Sequence, residues 1–441
     1  MQLAVIGPQD IYLTGNPQIT YFKAVYKRHT NFSIETINMF TNDVDFGNTP
    51  QIDIPISGDL VSTLYLEFKL PQLHQTTHGN DTTKYASWVN GVGNALVKSV
   101  SLKIGSMEID KHYSEWLDIW GELNVSSDKK EAYNSMVGNT YPSDDTDPET
   151  VKSKHPITLY VPLRFWFNTN PGLALPLIAL QYHKVTLHLE LEEAKNLIRS
   201  DVDITTPKDN LGNDLKIISC NLLIDYIYLD TDERRRFTQV SHEYLIETLQ
   251  YSSVVIPNNT TDTTLELKFN NPIKYITWVV QNTNFTKSET GQGNSDTKRK
   301  NSGNQKLRYS CMANINGEYE TFKNAKIQMN GYDRITERNA YYFRVIQNSQ
   351  FMKCSTSKYI YSYSFALNPG KHQPSGTCNF SRLNDANLFI QFDNTTPSLN
   401  KTSTPSYYMG QISEEVEVKI FAVNYNILRV MEGSAGLAYA N

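Results

Sequence analysis

The chain contains the stretch Tyr160-Val-Pro-Leu-Arg-Phe-Trp-Phe167, which leads into the turn Asn170-Pro-Gly172. A similar aromatic stretch, Tyr359-Ile-Tyr-Ser-Tyr-Ser-Phe365, leads into Asn368-Pro-Gly370, 368 − 170 = 198 residues later. Alternating aromatic residues are typical of strands, and Asn-Pro and Pro-Gly pairs mark turns. One matched turn could be ordinary β-protein chemistry. It becomes informative if neighbouring elements repeat as well.

Other elements surround the two turns in the same order. Each half has a strand that leads through a turn into a short helix with an aromatic face, and each half has two apolar strands after the Asn-Pro-Gly turn. The matched pairs are Val100–Gly105 with Ala325–Gly331, Trp116–Trp120 with Tyr341–Val345, Val185–Leu191 with Ala386–Phe392, and Leu215–Leu229 with Val416–Val430. Four matched elements in one order indicate a gene duplication.

The strand patterns and the chain length together predict the fold. Each half contains about seven or eight strand patterns, the number that a jelly roll needs. The predicted strands include Ile157–Phe167, Leu177–Leu191 and Leu215–Leu229. A chain of 441 residues exceeds what one core usually supports. We therefore predict an all-β protein with two tandem eight-stranded antiparallel jelly rolls (a double jelly roll) and short helices in the loops.

The predicted domains follow from the strand patterns. They are an N-terminal arm at residues 1–30, a first jelly roll at 31–230, a connector at 231–240 and a second jelly roll at 241–441. The connector is charged and lacks the alternation of a strand. Long polar loops at 142–154, 281–306 and 394–406 are predicted to carry contacts or surface variation.

Composition limits the partners of the chain. The formal charge of −5 provides no general attraction to nucleic acid, and the basic run Arg234–Arg236 follows acidic residues that can pair with it. The four cysteines are scattered, which fits a reducing compartment, and Cys220 is predicted to be a buried thiol. The N-terminus lacks the basic start of a signal peptide.

The residues that would support catalysis or metal binding are not arranged for it. His188 and Glu190 share one face of a predicted strand and His183 lies on the other, which is not the ligand spacing of a cupin-type metal site. No nucleophile elbow, phosphate-binding loop or zinc-protease motif occurs. We therefore predict no catalytic residue, no metal site, no cofactor and no enzymatic activity.

Asparagine sequons are frequent, and three are candidate sites of glycan attachment: Asn258, Asn284 and Asn394. The alternative is that they only reflect a composition rich in Asn and Thr. A chain without a signal peptide would not meet the secretory pathway, which favours that alternative.

Several long stretches resemble one protein family, the major capsid proteins of nucleocytoplasmic large DNA viruses. They cover both halves and both ends of the chain. The stretches are Asp10–Lys23, Tyr26–Phe32, Asp225–Phe237, Ser241–Leu245, Tyr363–Gly370, His372–Gly376, Asn379–Arg382 and Asn424–Met431.

The resemblance implies a function in the virion. It implies a double jelly roll, a homotrimer that forms a pseudo-hexagonal capsomer, and capsomers that tile an icosahedral shell assembled in the host cytoplasm. It also implies that the arm at Asp10–Phe32 turns inward, toward minor capsid proteins and an internal membrane, while loops at 281–306 and 394–406 face outward.

Two other functions are compatible with a β-sandwich of this composition. A lectin-like double jelly roll would use aromatic side chains at loop tips to stack on sugars. Trp88, at the head of a predicted loop, is the exposed candidate, whereas Trp116, Trp120, Trp166 and Trp278 are predicted to be core residues. A metal-dependent hydrolase is the weaker alternative, because the ligands are lacking.

Overall fold

The computed structural model describes most of the chain. The described residues are 5–41, 44–73, 76–78, 81–84, 86–139, 156–200, 208–209, 211–257, 260–282, 306–309, 311–314, 317–392 and 415–439. The sequons at Asn258, Asn284 and Asn394 lie outside these ranges, as do almost all residues of the three long loops.

The first half of the chain folds into two packed antiparallel sheets. One sheet has the order β1-β13-β3, with β9 and β10 both paired to β3, and the other has the order β2-β11-β7-β8. The strands are β1 Phe32–Thr41, β2 Gln51–Ile54, β3 Leu60–Leu70, β4 Thr76–His78, β5 Asp81–Lys84, β6 Ala86–Trp88, β7 Val97–Ile104, β8 Met107–Tyr113, β9 Ile157–Pro162, β10 Leu175–Pro176, β11 Val185–Leu191, β12 Ile198–Ser200 and β13 Ser219–Leu229.

The second half repeats this topology. Its sheets have the orders β14-β24-β16, with β21 and β22 both paired to β16, and β15-β23-β19-β20. The strands are β14 His242–Ile256, β15 Asp262–Glu266, β16 Pro272–Asn282, β17 Cys311–Asn314, β18 Gly317–Tyr319, β19 Asn324–Met329, β20 Tyr332–Asn339, β21 Tyr361–Ser364, β22 Cys378–Asn379, β23 Ala386–Gln391, β24 Val416–Met431 and β25 Ser434–Leu437.

Short helices lie between the strands. The α-helices are α1 Ile11–Thr14, α2 Val92–Leu96, α3 Ser114–Asn124, α4 Ser127–Val137, α5 Trp166–Thr169, α6 Thr231–Gln239 and α7 Gln347–Phe351, and a π-helical turn at Tyr342–Ile346 precedes α7. The short aromatic helices predicted after the Val100–Gly105 and Ala325–Gly331 strands are therefore confirmed. Helix α6 occupies the segment that links the two halves. No helix among the described residues has the length and apolarity of a bilayer span.

The two Asn-Pro-Gly turns occupy equivalent positions. The turn at Asn170 links β9 to β10, and both of these strands pair with β3. The turn at Asn368 links β21 to β22, and both pair with β16. If each interrupted pair is counted as one strand, each half has the eight strands of a jelly roll in the same order. The predicted double jelly roll and its internal repeat are confirmed.

Three predicted strands were too long. The strand predicted at Ile157–Phe167 ends at Pro162, because the chain turns into α5, where the Phe165 N–H donates to Asn168 Oδ1 at 3.1 Å. The strand predicted at Leu177–Leu191 begins only at Val185, since Leu177–Ala179 forms a 3₁₀ turn. The strand predicted at Leu215–Leu229 begins at Ser219.

Alternation along the strands builds a separate core in each half. In β3, Leu64, Leu66, Phe68 and Leu70 all point inward and are buried. The full burial of such a side chain stabilises the fold by about 1.5–3 kcal/mol. The two apolar clusters are not confined to their own halves. Each receives side chains from the other half, and these define the junction between the jelly rolls.

Candidate assembly surfaces

Helix α3 carries apolar side chains from the first jelly roll into the second. Leu117 packs in the cluster of the first jelly roll, whereas Trp116, Ile119 and Leu123 pack in the cluster of the second. The spacing of these three residues places them on one helix face. Trp116 is only 3 % exposed, and its ring lies 5.7 Å from the ring of Phe421 on β24. Both jelly rolls therefore share one packed boundary.

Acidic residues of α3 pair with lysines of the second jelly roll at this boundary. Lys419 Nζ lies 2.5 Å from Glu115 Oε1, and Lys358 Nζ lies 2.7 Å from each oxygen of Asp118. Lys358 also lies 3.7 Å from Glu122. The three carboxylates are almost fully buried. An unpaired charge at such a site is strongly unfavourable, so the pairs fix the relative position of the two halves.

The pKa shifts at the junction show that attraction outweighs burial for most of these groups. Burial alone would lower the pKa of Lys358, but the carboxylates of Asp118 and Glu122 raise it. Burial alone would raise the pKa of Glu122, but Lys358 and Lys130 lower it. For Asp118, burial and the neighbouring Glu122 raise the pKa in spite of Lys358. Lys358 thus lies between two carboxylates, and Lys130 provides a second cation for Glu122.

The second jelly roll in turn covers part of the first. Ile246 on β14, Leu428 and Val430 on β24, and Ala435 on β25 belong to the cluster of the first jelly roll. The Leu249 N–H donates to Asp110 Oδ1 at 3.0 Å, which ties β14 to β8. Each jelly roll therefore covers part of the core of the other.

The N-terminal segment is a second surface, and it contacts little of the chain. None of its described residues, 5–31, is buried. The segment contains α1 and carries three cationic side chains, Lys23, Lys27 and Arg28, against one acidic residue, Asp10. Its exposed large apolar residues are Val5, Ile6, Ile11, Tyr12, Leu13, Ile19, Tyr21, Phe22, Val25 and Tyr26. So much exposed apolar surface on one segment indicates a binding site for a partner.

The polar residues considered for a metal site are separated in the structure. Glu190 pairs with Lys98 at 2.5 Å and accepts from Ser99 Oγ at 3.0 Å, while His183 Nδ1 accepts the Ala435 N–H at 3.3 Å. Within the described ranges, no three His, Cys, Asp or Glu side chains are grouped as a metal site requires. Burial raises the pKa of the Cys220 thiol to about 11, and the prediction of a buried thiol is confirmed.

The expectation that Trp88 is exposed was wrong. Trp88 is 3 % exposed, because β6 pairs with β12 and its ring stacks on Phe46 at 6.0 Å. Trp116, Trp166 and Trp278 are buried as predicted, and Trp120 is half-buried beneath Arg164. Trp88 is therefore not at the surface, where it could stack on a sugar, and its position does not support a lectin-like function.

Sequence reasoning missed the junction lysines and carboxylates. A signal for the carboxylates was present, because Glu115, Asp118 and Glu122 recur at helical spacing between apolar residues. Acidic residues that lie between buried apolar residues of a helix are expected to be buried as well. A buried carboxylate requires a cation next to it. The sequence does not show which lysines supply them, since Lys358 lies 240 residues from Asp118.

Comparison with known proteins identifies the family. A family model described as the N-terminus of major capsid proteins matches residues 20–230, and one described as the large eukaryotic DNA virus major capsid protein matches residues 233–436. The major capsid protein of Pyramimonas orientalis virus is 39% identical, and that of Paramecium bursaria Chlorella virus 1 is 38% identical. Each alignment covers 100% of this chain and 99% of the relative.

A solved structure gives the same result. A chain of the PBCV-1 virus capsid superimposes with a TM-score of 0.76 and 33% identity, covering 96% of this chain and 100% of that one. Fold, repeat and sequence thus agree over nearly the whole length. The chain belongs to the major capsid proteins of nucleocytoplasmic large DNA viruses, and it is a structural protein of the virion capsid.

Proposed function

We propose that three copies of the chain form one capsomer with a pseudo-hexagonal outline, and that capsomers tile an icosahedral shell. The observation that carries this proposal is the pair of topologically equivalent jelly rolls, locked together by buried ion pairs and shared cores. Because each chain has two similar lobes, a ring of three chains has six similar lobes. A ring of this kind requires a heterologous contact that closes after three steps.

We infer that the role of the chain is structural rather than catalytic, and that the chain is made and assembled in the host cytoplasm. Its membership in a family of capsid proteins supports the first inference. The domain division at 1–30, 31–230, 231–240 and 241–441 is part of the same proposal, with each jelly roll as one lobe. The charge of −5 fits a shell that does not bind the genome directly.

We further propose that the N-terminal arm reaches minor capsid proteins and the internal membrane. Its exposed apolar residues and its excess of cationic over acidic side chains support this assignment. Apolar side chains insert at the acyl boundary of a bilayer, and lysine and arginine are attracted to anionic headgroups.

Light scattering of the purified chain tests the trimer. We expect a particle of three times the 50.3 kDa chain mass, stable on dilution, because obligate contacts of this class bury about 2,000 Å² or more. A stable monomer would refute the proposed capsomer.

Vesicle flotation tests the arm. The full chain is expected to float with vesicles that contain phosphatidylserine, whereas a variant that lacks residues 1–31 should remain at the bottom of the gradient. Light scattering must give both proteins the same number of chains per particle, which shows that the deletion leaves assembly intact. Equal flotation of the two proteins would remove the membrane from the proposed partners of the arm.

A further inference from the structure

The first strands of the two jelly rolls contain similar stretches, with three of five residues identical. Strand β1 contains Ile34-Glu-Thr-Ile-Asn38, and β14 contains Ile246-Glu-Thr-Leu-Gln250. The strands also occupy the same place, at the edge of a sheet beside β13 and β24, respectively. Thr36 Oγ1 donates to Asp225 on β13 at 2.5 Å, as Thr248 Oγ1 donates to Asn424 on β24 at 3.2 Å. Ile34 is therefore the structural counterpart of Ile246.

These two isoleucines differ completely in burial. Ile246 is 0 % exposed and packs in the cluster of the first jelly roll, whereas Ile34 is 58 % exposed. Its neighbours Phe32 and Phe40 are also exposed, and no residue of β1 is buried. Because strand, register and sequence agree, the difference comes from what lies over each strand.

The elements of the first jelly roll that lie against β14 have counterparts in the second. Strand β8 and helix α5 lie against β14. The counterpart of β8 is β20, since each is the edge strand that follows β7 or β19. The counterpart of α5 is the segment Phe365–Leu367, since each directly precedes an Asn-Pro-Gly turn.

Strand β20 and Leu367 are exposed in the single chain, whereas Phe365 and Ala366 are partly or fully buried. Every residue of β20 is exposed except Ile335, which is half-buried, and Tyr332 is 81 % exposed. Leu367 is 74 % exposed, and Tyr341 and Ile346 beside β20 are exposed as well. The single chain thus exposes the counterpart of each side of its internal contact. Strand β1 corresponds to β14, and β20 corresponds to β8.

We propose that β1 of one chain packs against β20 and the Phe365–Leu367 segment of the next chain, repeating between chains the contact that joins the jelly rolls within a chain. This inference rests on the proposed homotrimer and assigns its contact surfaces. The occupant is a second copy of this chain, because its own first jelly roll supplies the template for the contact. The two contacting surfaces differ from each other, so the contact is heterologous and can close into a ring.

The charges of the two surfaces are compatible with the contact. Strands β1 and β13 carry the acidic residues Glu35 and Asp225 and no lysine or arginine. Strand β20 carries two arginines, Arg334 and Arg338, together with two acidic residues, Asp333 and Glu337. Apolar side chains at the centre with polar and charged groups of both signs at the rim are the usual composition of a specific interface.

Photo-crosslinking tests the assignment directly. A benzophenone amino acid replaces Ile34, and mass spectrometry identifies the peptide to which it becomes linked. We expect a product between chains in which the partner peptide contains residues 332–351 or 365–370. The control carries the same group at Leu211, an even more exposed residue on the loop that precedes the opposite end of β13, and it should give no such product.

Substitution at the same position gives the second readout. Ile34→Asp is expected to shift the light-scattering mass from three chains to one, while Leu211→Asp leaves it at three. If the unmodified chain forms a trimer but Ile34→Asp leaves that trimer intact, or if position 34 links to other peptides or to none, the assigned contact is wrong and the homotrimer stands. A monomeric unmodified chain would instead overturn the homotrimer and the contact together.

Discussion

Replacing Lys358 with methionine is expected to lower the free energy of unfolding by about 3–5 kcal/mol. The substitution keeps most of the side-chain volume but leaves Asp118 without its cation and Glu122 with Lys130 alone. Urea unfolding at pH 7 measures the loss. Lys98→Met is the matched control, because Lys98 pairs with Glu190 where both side chains are more than one-third exposed. Such a pair contributes less than about 1 kcal/mol. Equal losses of unfolding free energy in the two variants would show that the junction pairs stabilise the fold no more than a surface pair does.

The loss in the Lys358→Met variant should also depend on pH. In the parent chain the folded-state pKa of Glu122 is lowered, so its stabilising contribution is present above the unfolded pKa of about 4.3 and is lost as the pH falls through the folded pKa. Without Lys358, burial dominates and protonation of the carboxylates relieves the unpaired charge. The difference in unfolding free energy between the variant and the parent should therefore become smaller as the pH is lowered from 7 toward 4.5. A difference that is constant over this range would contradict the account.

Replacing Trp116 with alanine should cost about 3–5 kcal/mol, because a large cavity opens where the first jelly roll enters the core of the second. The same change should weaken the coupling between the two halves, so that thermal unfolding separates into two transitions. Differential scanning calorimetry measures both effects. Trp88→Ala is the control, since Trp88 is equally buried but belongs to the cluster of the first jelly roll, where its ring stacks on Phe46. The control substitution should lower the midpoint of thermal unfolding without separating the unfolding into two transitions. A single transition at the parent midpoint in the Trp116→Ala variant would show that the helix does not couple the halves.

The architecture could be predicted from the sequence because its signals are local. Strand alternation, the Asn-Pro-Gly turns and the order of elements around them depend on residues close together in the chain. The overlong strand predicted at Ile157–Phe167 shows the limit of that reasoning, because aromatic residues continue the pattern after the backbone has turned into α5. Trp88 shows another limit, since its burial depends on Phe46 and on a strand more than a hundred residues away.

The assembly surfaces could not be predicted in the same way, because similar sequences have different surroundings. Ile34 and Ile246 lie in matching pentapeptides, yet one is exposed and the other fully buried. Only the tertiary structure shows that the second position is covered by a neighbouring jelly roll. The pairing of Lys358 with Asp118 is likewise set by the approach of the two domains rather than by local pattern.

Electron microscopy of the purified assembly tests most directly whether two equivalent jelly rolls per chain build a threefold ring. Class averages viewed down the symmetry axis should show six lobes of two alternating kinds, with threefold rather than sixfold symmetry. Isolated two-lobed particles, or rings with any other number of lobes, would contradict the account.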